Sequence, residues 1–241
     1  MSAPIEPMAA VSDNEMYERM VSAILDHRLL PGTRLGEDKL ASAFGVSRTR
    51  IRPVLVRLAN EQIVTLTLNR GATVAQPTAA EAREVFQVRQ LIEPTLIACF
   101  IKEASADDIA VLSQCIAQEE EARLAGDMRR AIRLSGDFHL HIASAAQHQT
   151  LGRILRELVS RTSLILMTYG TQQQAQSDAY RCGCQEHRAL LDAIRLRDAK
   201  EAARLMQEHL AQLESQLQFT QNDSDVPDLL ALFGSEPVAL V

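Results

Sequence analysis

The sequence predicts a mainly α-helical protein, an N-terminal winged helix-turn-helix followed by an all-helical bundle. Three observations carry that prediction. Residues 35–58 form two short amphipathic segments that meet at Gly45. From residue 79 to about 220 the apolar residues recur at helical spacing, with repeated capping signals. The chain is 46% hydrophobic but only 4% aromatic, with no Trp, which favours an aliphatic helical core over a sheet sandwich.

Residues 1–12 are a small, polar, proline-containing tail, expected to be disordered. Residues 14–30 read as a helix with Tyr17, Met20, Val21, Ile24 and Leu25 on one face, ended by Pro31 and Gly32. The next segment, residues 38–44, buries Leu40, Ala41 and Phe44. Gly45 suits a left-handed turn because it lacks a Cβ. Ser47 is placed to cap a second helix, which carries Ile51, Val54, Leu55 and Leu58 inward. Two helices joined by a short Gly-containing turn make a helix-turn-helix. Arg48, Thr49 and Arg52 can then face outward, the layout of a helix that reads base edges in the major groove. Arg50 adds charge at the same helix start, whereas Pro53 falls inside the helix and removes a backbone donor there. Residues 63–69 alternate and are rich in β-branched side chains, and residues 72–75 can return as a second strand. Arg70 and Gly71 stand at the tip of this hairpin, the wing, where Gly permits close approach to a DNA backbone.

The boundary is expected at Gln76 and Pro77, giving a DNA-binding domain over 13–77 and a helical domain over 78–220. Thr78 and Glu81 form a capping box. Six helices are expected, at about 79–103, 106–125, 128–146, 149–170, 178–196 and 199–219, with further caps at Ser105 and Asp198. Residues 221–241 return to Asp, Pro and Ser composition and read as a C-terminal tail.

The net charge of −6 divides unevenly. Residues 1–77 hold nine Arg/Lys against eight Asp/Glu, and the remainder sixteen against twenty-three. Within residues 46–70 five arginines face Glu61 alone. Cationic charge is thus confined to the stretch expected to meet phosphate. No apolar run reaches 18 residues and no secretory signal is visible, so a cytoplasmic, non-membrane protein is expected. Cys99, Cys115, Cys182 and Cys184 show no CxxC pair and are read as reduced thiols.

Pro31, Gly32, Thr33, Arg34, Leu35, Leu40, Ala41, Gly45–Thr49 as a block, Arg52, Arg57, Leu58, Arg70 and Gly71 resemble the winged-helix domain of GntR-type bacterial transcription regulators. Val88, Arg89, Leu91 to Glu93, Asp137 to His139, Glu186 to Ile194, Asp198, Ala202, His209 and Leu210 resemble the helical FCD effector domain of the FadR-like branch. The resemblance spans roughly residues 14–215 and implies a ligand-responsive regulator that acts as a repressor. It implies a homodimer on double-stranded operator DNA, controlled by a small-molecule carboxylate. DNA contacts fall on Ser47, Arg48, Thr49, Arg50, Arg52, Arg70 and Gly71. The family usually has Pro where this chain has Arg50, and Glu where it has Pro53.

The same resemblance implies a divalent-metal site on His139, His187 and His209, for which the family adds an Asp four residues before the first histidine. That position is Ser135 here, on the same helix face. Asp137 is about 200° around the helix from His139 and is a poor substitute. An imidazole set without the carboxylate suits zinc or nickel ahead of magnesium, and no organic cofactor is expected. The competing reading is a polar pocket whose histidines only hydrogen-bond an effector. The effector pocket is assigned Arg89, Ser135, His139, His187 and His209. Arg89 suits bidentate capture of a carboxylate, or alternatively a salt bridge to Glu93 at i+4. The run Glu119 to Glu121 reads as a solvated helix face. His141 and His148 read as surface or supporting residues, His27 as a surface residue. The stripe Leu158, Arg161, Thr162, Ile165 and Tyr169 reads as core, with the Tyr169 hydroxyl a candidate ligand contact. A metal-dependent hydrolase on the three histidines is the alternative function, although no HExxH motif or evident general base accompanies them. A DNA-binding dimer with an inert pocket is the other.

Overall fold

The computed structural model describes residues 11–26, 28–68, 70–170 and 178–219, the last stretch without the side chains of 178–183. The readings of residues 1–10, His27, the Cys182 side chain and the 221–241 tail lie outside the described residues. The chain folds as two compact units: among the described residues, those up to Ile24 and from Arg28 to Ala75 belong to the first, and Leu25, Asp26 and those from Gln76 onward to the second.

The first unit contains α1 (Asp13–Leu25), β1 (Arg34–Leu35), α2 (Glu37–Phe44), α3 (Arg48–Asn60), β2 (Val64–Thr67) and β3 (Gly71–Val74). Tyr17, Met20 and Ile24 of α1 are buried, as are Leu40 and Phe44 of α2 and Ile51, Val54, Leu55 and Leu58 of α3. Gly45 closes α2 with φ +65° and ψ +34°, the left-handed geometry that the turn requires. A side chain there is strained by about 1–2 kcal/mol. Gly45→Ala is therefore expected to lower stability by that amount, a shift readable in a urea midpoint; an unchanged midpoint would contradict the turn geometry. Ser47 occupies the N-cap position of α3 in extended backbone, but its hydroxyl pairs with Thr49 Oγ1 at 2.7 Å rather than with a backbone donor. The helix continues without a break through Pro53.

The hairpin is present as β2 and β3, paired antiparallel with Val64 opposite Val74 and Thr67 opposite Gly71. Gly71, at φ +84°, turns the chain into β3. The sheet also has a third strand, β1, in the order β1-β3-β2. It was not expected, because two residues are too few to show alternation; Arg34 opposite Thr73 and Leu35 opposite Ala72 tie the loop after α1 to the wing.

The second unit is helical: α4 (Ala79–Glu103), α5 (Ala106–Leu124), α6 (Met128–Ala145), α7 (Gln149–Tyr169), α8 (Asp178–Arg195) and α9 (Ala199–Ser215). The starts of α4, α5 and α9 are those announced by the caps at Thr78, Ser105 and Asp198. Thr78 and Ser105 close capping boxes with Glu81 and Asp108, and Asp127 and Asp198 accept from the N–H groups of Arg130 and Glu201. One core runs through all six helices, with Phe86, Phe100, Leu112, Phe138, Leu155, Ile165, Leu190, Ile194 and Met206 fully or almost fully buried. Leu158, Thr162, Ile165 and Tyr169 belong to that interior. The Tyr169 hydroxyl donates to Pro77 O at 2.7 Å and so anchors the start of the unit. Among the described residues no helix is long and apolar enough to cross a membrane.

Candidate functional site

Two sites emerge, one in each unit. In the first unit, α3 turns its aliphatic side inward and leaves Ser47, Arg48, Thr49 and Arg52 exposed, with Arg70 and Gly71 exposed on the wing. Arg50 is half-buried against α1, where its guanidinium donates to Asp13 Oδ1 at 2.7 Å and to Val11 O at 2.6 Å. The extra arginine noted in the sequence therefore also ties α3 to the N-terminal helix. Arg57 stacks over the Tyr17 ring, 3.4 Å from its centroid. The Tyr17 hydroxyl bonds Glu61 at 2.5 Å, and burial followed by that bond raises the phenol above its ordinary value.

In the second unit, α6, α8 and α9 bring His139, His187 and His209 together. One ring nitrogen from each lies within 4.8 Å of the others, and all three residues are buried. The rings pack on one another, with centroids 4.7–5.4 Å apart. Phe138 stacks on His187 at 4.4 Å.

Each Nδ1 faces its own carboxylate: His139 with Glu93 at 2.5 Å, His187 with Glu119 at 2.8 Å, and His209 with Glu186 at 2.6 Å. The Nε2 atoms of His187 and His209 are buried with no hydrogen-bond partner. This is the arrangement in which a carboxylate fixes tautomer and ring orientation so that the other nitrogen presents a lone pair to a metal. The electrostatics agree. Burial drives the His139 imidazolium down to about 3 despite the Glu93 carboxylate beside it. Burial likewise lowers His209, against the pull of Glu186. Both rings are thus neutral near pH 7. Burial by itself would raise Glu93 and Glu119. The charges and hydrogen bonds of Arg89 and His139 outweigh it for Glu93, and those of His187 and Arg123 for Glu119, holding both carboxyls at about 2.

The expectation of a solvated face over Glu119 to Glu121 needs correction. Glu119 is fully buried and grips His187, whereas the Glu120 and Glu121 side chains are 25% and 72% exposed. Glu119 follows Leu112 and Ile116 at helical spacing, a signal that places it on the inner stripe of α5. Glu93, expected as a partner of Arg89, also bonds His139.

Arg89 is 2% exposed, bonded to Glu93 at 2.5 Å and to Thr162 Oγ1 at 3.2 Å, while its Nη2 has no partner. The i+4 salt bridge is therefore present and still leaves a buried donor. A cavity of about 50 Å³ adjoins it, with Ser135, Asp137, His139, Thr162 and Ser163 in its wall. Ser135 lines this cavity; Asp137 does too, its carboxyl raised by burial, and neither joins the three-histidine group. The Ser163 hydroxyl, which no sequence signal marks, joins Arg89 Nη2 in the cavity wall as a buried atom without a hydrogen-bond partner. His141 is partly buried 3.5 Å from Asp108, and His148 caps α7 by accepting from Leu151 N.

Residues 13–74 match the family model for bacterial regulatory proteins of the gntR family, and residues 84–212 match that of the FCD domain. The Uxu operon regulator of Haemophilus influenzae is 27% identical over 217 residues, covering 85% of this chain and 80% of that protein. The HTH-type transcriptional repressor RspR of Escherichia coli is 25% identical over 220 residues, covering 88% and 92%. Among solved structures, Escherichia coli McbR/YncC superposes with a TM-score of 0.73 at 22% identity, covering 87% of this chain and 99% of that one. A GntR protein described as a putative transcriptional regulator, from Rhodococcus sp. RHA1, gives 0.74 at 21% identity, covering 85% and 96%. Those two likenesses speak to the fold, and the model matches to the family: this chain is a transcriptional regulator of the GntR family with a C-terminal FCD domain.

Proposed function

We propose that this regulator binds operator DNA through α3 and the wing as a homodimer, and that a small carboxylate ligand held in the FCD domain, next to a divalent metal, controls that binding as a repressor. The observation that carries the metal reading is the buried trio of histidines, each with Nδ1 on a carboxylate and two with orphaned Nε2 atoms. A polar pocket built only to hydrogen-bond a ligand has no need of three carboxylate-oriented imidazoles. His139, His187 and His209 would hold the ion, which would supply a Lewis-acidic point for a carboxylate oxygen. The imidazole set suits zinc or nickel rather than magnesium, and Ser135 contributes no charge to it.

The protein's own groups supply the rest of the pocket. Arg89 Nη2 and the Ser163 hydroxyl are donors aimed at nothing else in the fold. A buried, fixed guanidinium edge favours an anionic partner, and the small cavity favours a compact one. Ligand binding can shift operator affinity only through a difference in its affinity for two arrangements of the protein.

On DNA, Arg48, Thr49 and Arg52 are the groups offered to base edges, with Ser47, Arg50, Arg70 and Gly71 for the backbone or adjacent groove. The test uses a duplex enriched from a random library by the full chain. Arg48→Ala and Arg52→Ala are each expected to weaken binding to it by about 1–3 kcal/mol. Unchanged binding by the double variant would remove α3 from the reading face.

A further inference from the structure

The arginines of α3 are held by carboxylates of their own unit. Arg48 Nε bonds Asp38 Oδ1, and Arg52 Nε donates to Glu37 Oε2 at 2.9 Å. Glu37 and Asp38 occupy the first turn of α2, where the helix dipole favours negative charge. Neither caps the helix, since Gly36 is the N-cap and no side chain accepts there. Asp38 and Arg48 are mostly exposed, at 70% and 61%, so this pair is solvent-side chemistry and not core construction. In both pairs the carboxylate takes Nε. That leaves the terminal Nη1 and Nη2 edge for a bidentate contact with guanine O6 and N7.

We infer that Glu37 and Asp38 are specificity-determining residues of DNA binding, which orient Arg52 and Arg48 by their Nε edges and weaken attachment to duplex of arbitrary sequence. The inference rests on the reading of α3 as the groove helix. The physical reason lies in how the two kinds of binding gain their free energy. Attachment to any duplex comes from replacing condensed counterions on phosphates with protein cations, and its salt dependence scales with the number of phosphates neutralised. An arginine already neutralised by a neighbouring carboxylate replaces less counterion, and the carboxylate is brought toward the phosphates with it. A base contact through the Nη edge leaves the Nε pairing intact. It therefore keeps its strength while phosphate attachment loses it. The near-neutral balance of residues 1–77, nine basic against eight acidic, fits a unit that does not rely on bulk charge.

The test compares wild type, Asp38→Asn, Glu37→Gln and the double variant as full chains. Each is titrated with a random-sequence 30-base-pair duplex and with the duplex selected from a random library, over a series of salt concentrations. Each substitution is expected to tighten the random duplex several-fold and to steepen its log-log salt slope by about 0.9 per released arginine. Affinity for the selected duplex should stay level or fall, so the double variant loses about tenfold or more in the ratio of the two. Glu103→Gln, an equal charge change in the other unit, should do none of this. An unchanged slope and ratio, or an equal effect from Glu103→Gln, overturns the inference. If the selected duplex still depends on Arg48 and Arg52 in that case, the reading of α3 survives. If the library yields no enriched sequence, or Arg48→Ala/Arg52→Ala binds the duplexes as wild type does, both fall.

Discussion

Glu93→Ala is expected to lower the stability of the FCD domain by about 3–5 kcal/mol, the cost of removing one partner from a buried ion pair. Glu93 and Arg89 are each 2% exposed, and one carboxylate serves both the Arg89 guanidinium and His139 Nδ1. Its loss leaves a guanidinium in the interior with Thr162 as its remaining hydrogen-bond partner, and an imidazole N–H with none. The helix itself is not at risk, because alanine is the best helix former. The measurement is the urea midpoint of the full chain, followed by circular dichroism. The double variant Arg89→Met/Glu93→Leu should cost less than the single one, since replacing both charges by apolar groups removes the uncompensated ion. A single variant that loses under about 1 kcal/mol would show the site to be wetter than the geometry implies.

The same groups set the acid limit of the metal-free protein. His139 titrates at about 3 in the fold and near 6.5 in an unfolded chain, so the unfolded state binds the extra proton between those values. Its contribution is complete above pH 6.5 and is lost as pH falls toward 3. Glu93 and Glu119, held at about 2, add stability that is complete above about pH 4.5 and disappears on acidification toward 2. Both signs agree. Stability should decline below pH 6.5 and more steeply below 4.5, and His139→Phe should make the upper part of that decline shallower, His209, also lowered by burial, supplying the rest. A flat profile from pH 7 to 5 would contradict the neutral buried ring.

Most of this architecture was legible in the chain because its signals are local. The capping boxes at Thr78 and Ser105 mark helix starts within three residues of themselves, and the observed helices begin there. Gly45 carries its turn in its own missing Cβ. The parts that escaped depend on partners distant in sequence. Strand β1 exists only because Thr73 and Ala72 stand beside it. Glu119 looked like part of an acidic run because three consecutive glutamates conceal that the first continues the stripe of Leu112 and Ile116. The three histidines come from a family likeness, and Glu93 and Glu186 are among the residues that carry it; what it does not carry is the pairing of a carboxylate with each ring. Glu93 lies 46 residues from His139 and Glu119 lies 68 from His187, so no spacing rule could join them.

Zinc added to the chelator-treated full chain is expected to stabilise it, by about 2.7 kcal/mol once free zinc exceeds the dissociation constant a hundredfold. For a chain of this size that is a rise in melting temperature of roughly 5–10 °C. Preorganisation sets how little zinc is needed to reach that excess. His139 and His209 need not shed a proton at pH 7, and all three rings are already turned by their carboxylates. His187→Ala should abolish the shift. Glu119→Gln is the more telling variant, because it keeps the ligands and alters only the group behind one of them. It should weaken zinc about 10–100-fold, as loss of such a supporting carboxylate does elsewhere, moving the titration to higher concentration without removing it. Ser135→Asp should move it the other way, by placing a carboxylate one helical turn before His139. A zinc response that survives His187→Ala unchanged would mean the ion binds elsewhere, and the histidines would then be ligand-binding donors and acceptors alone.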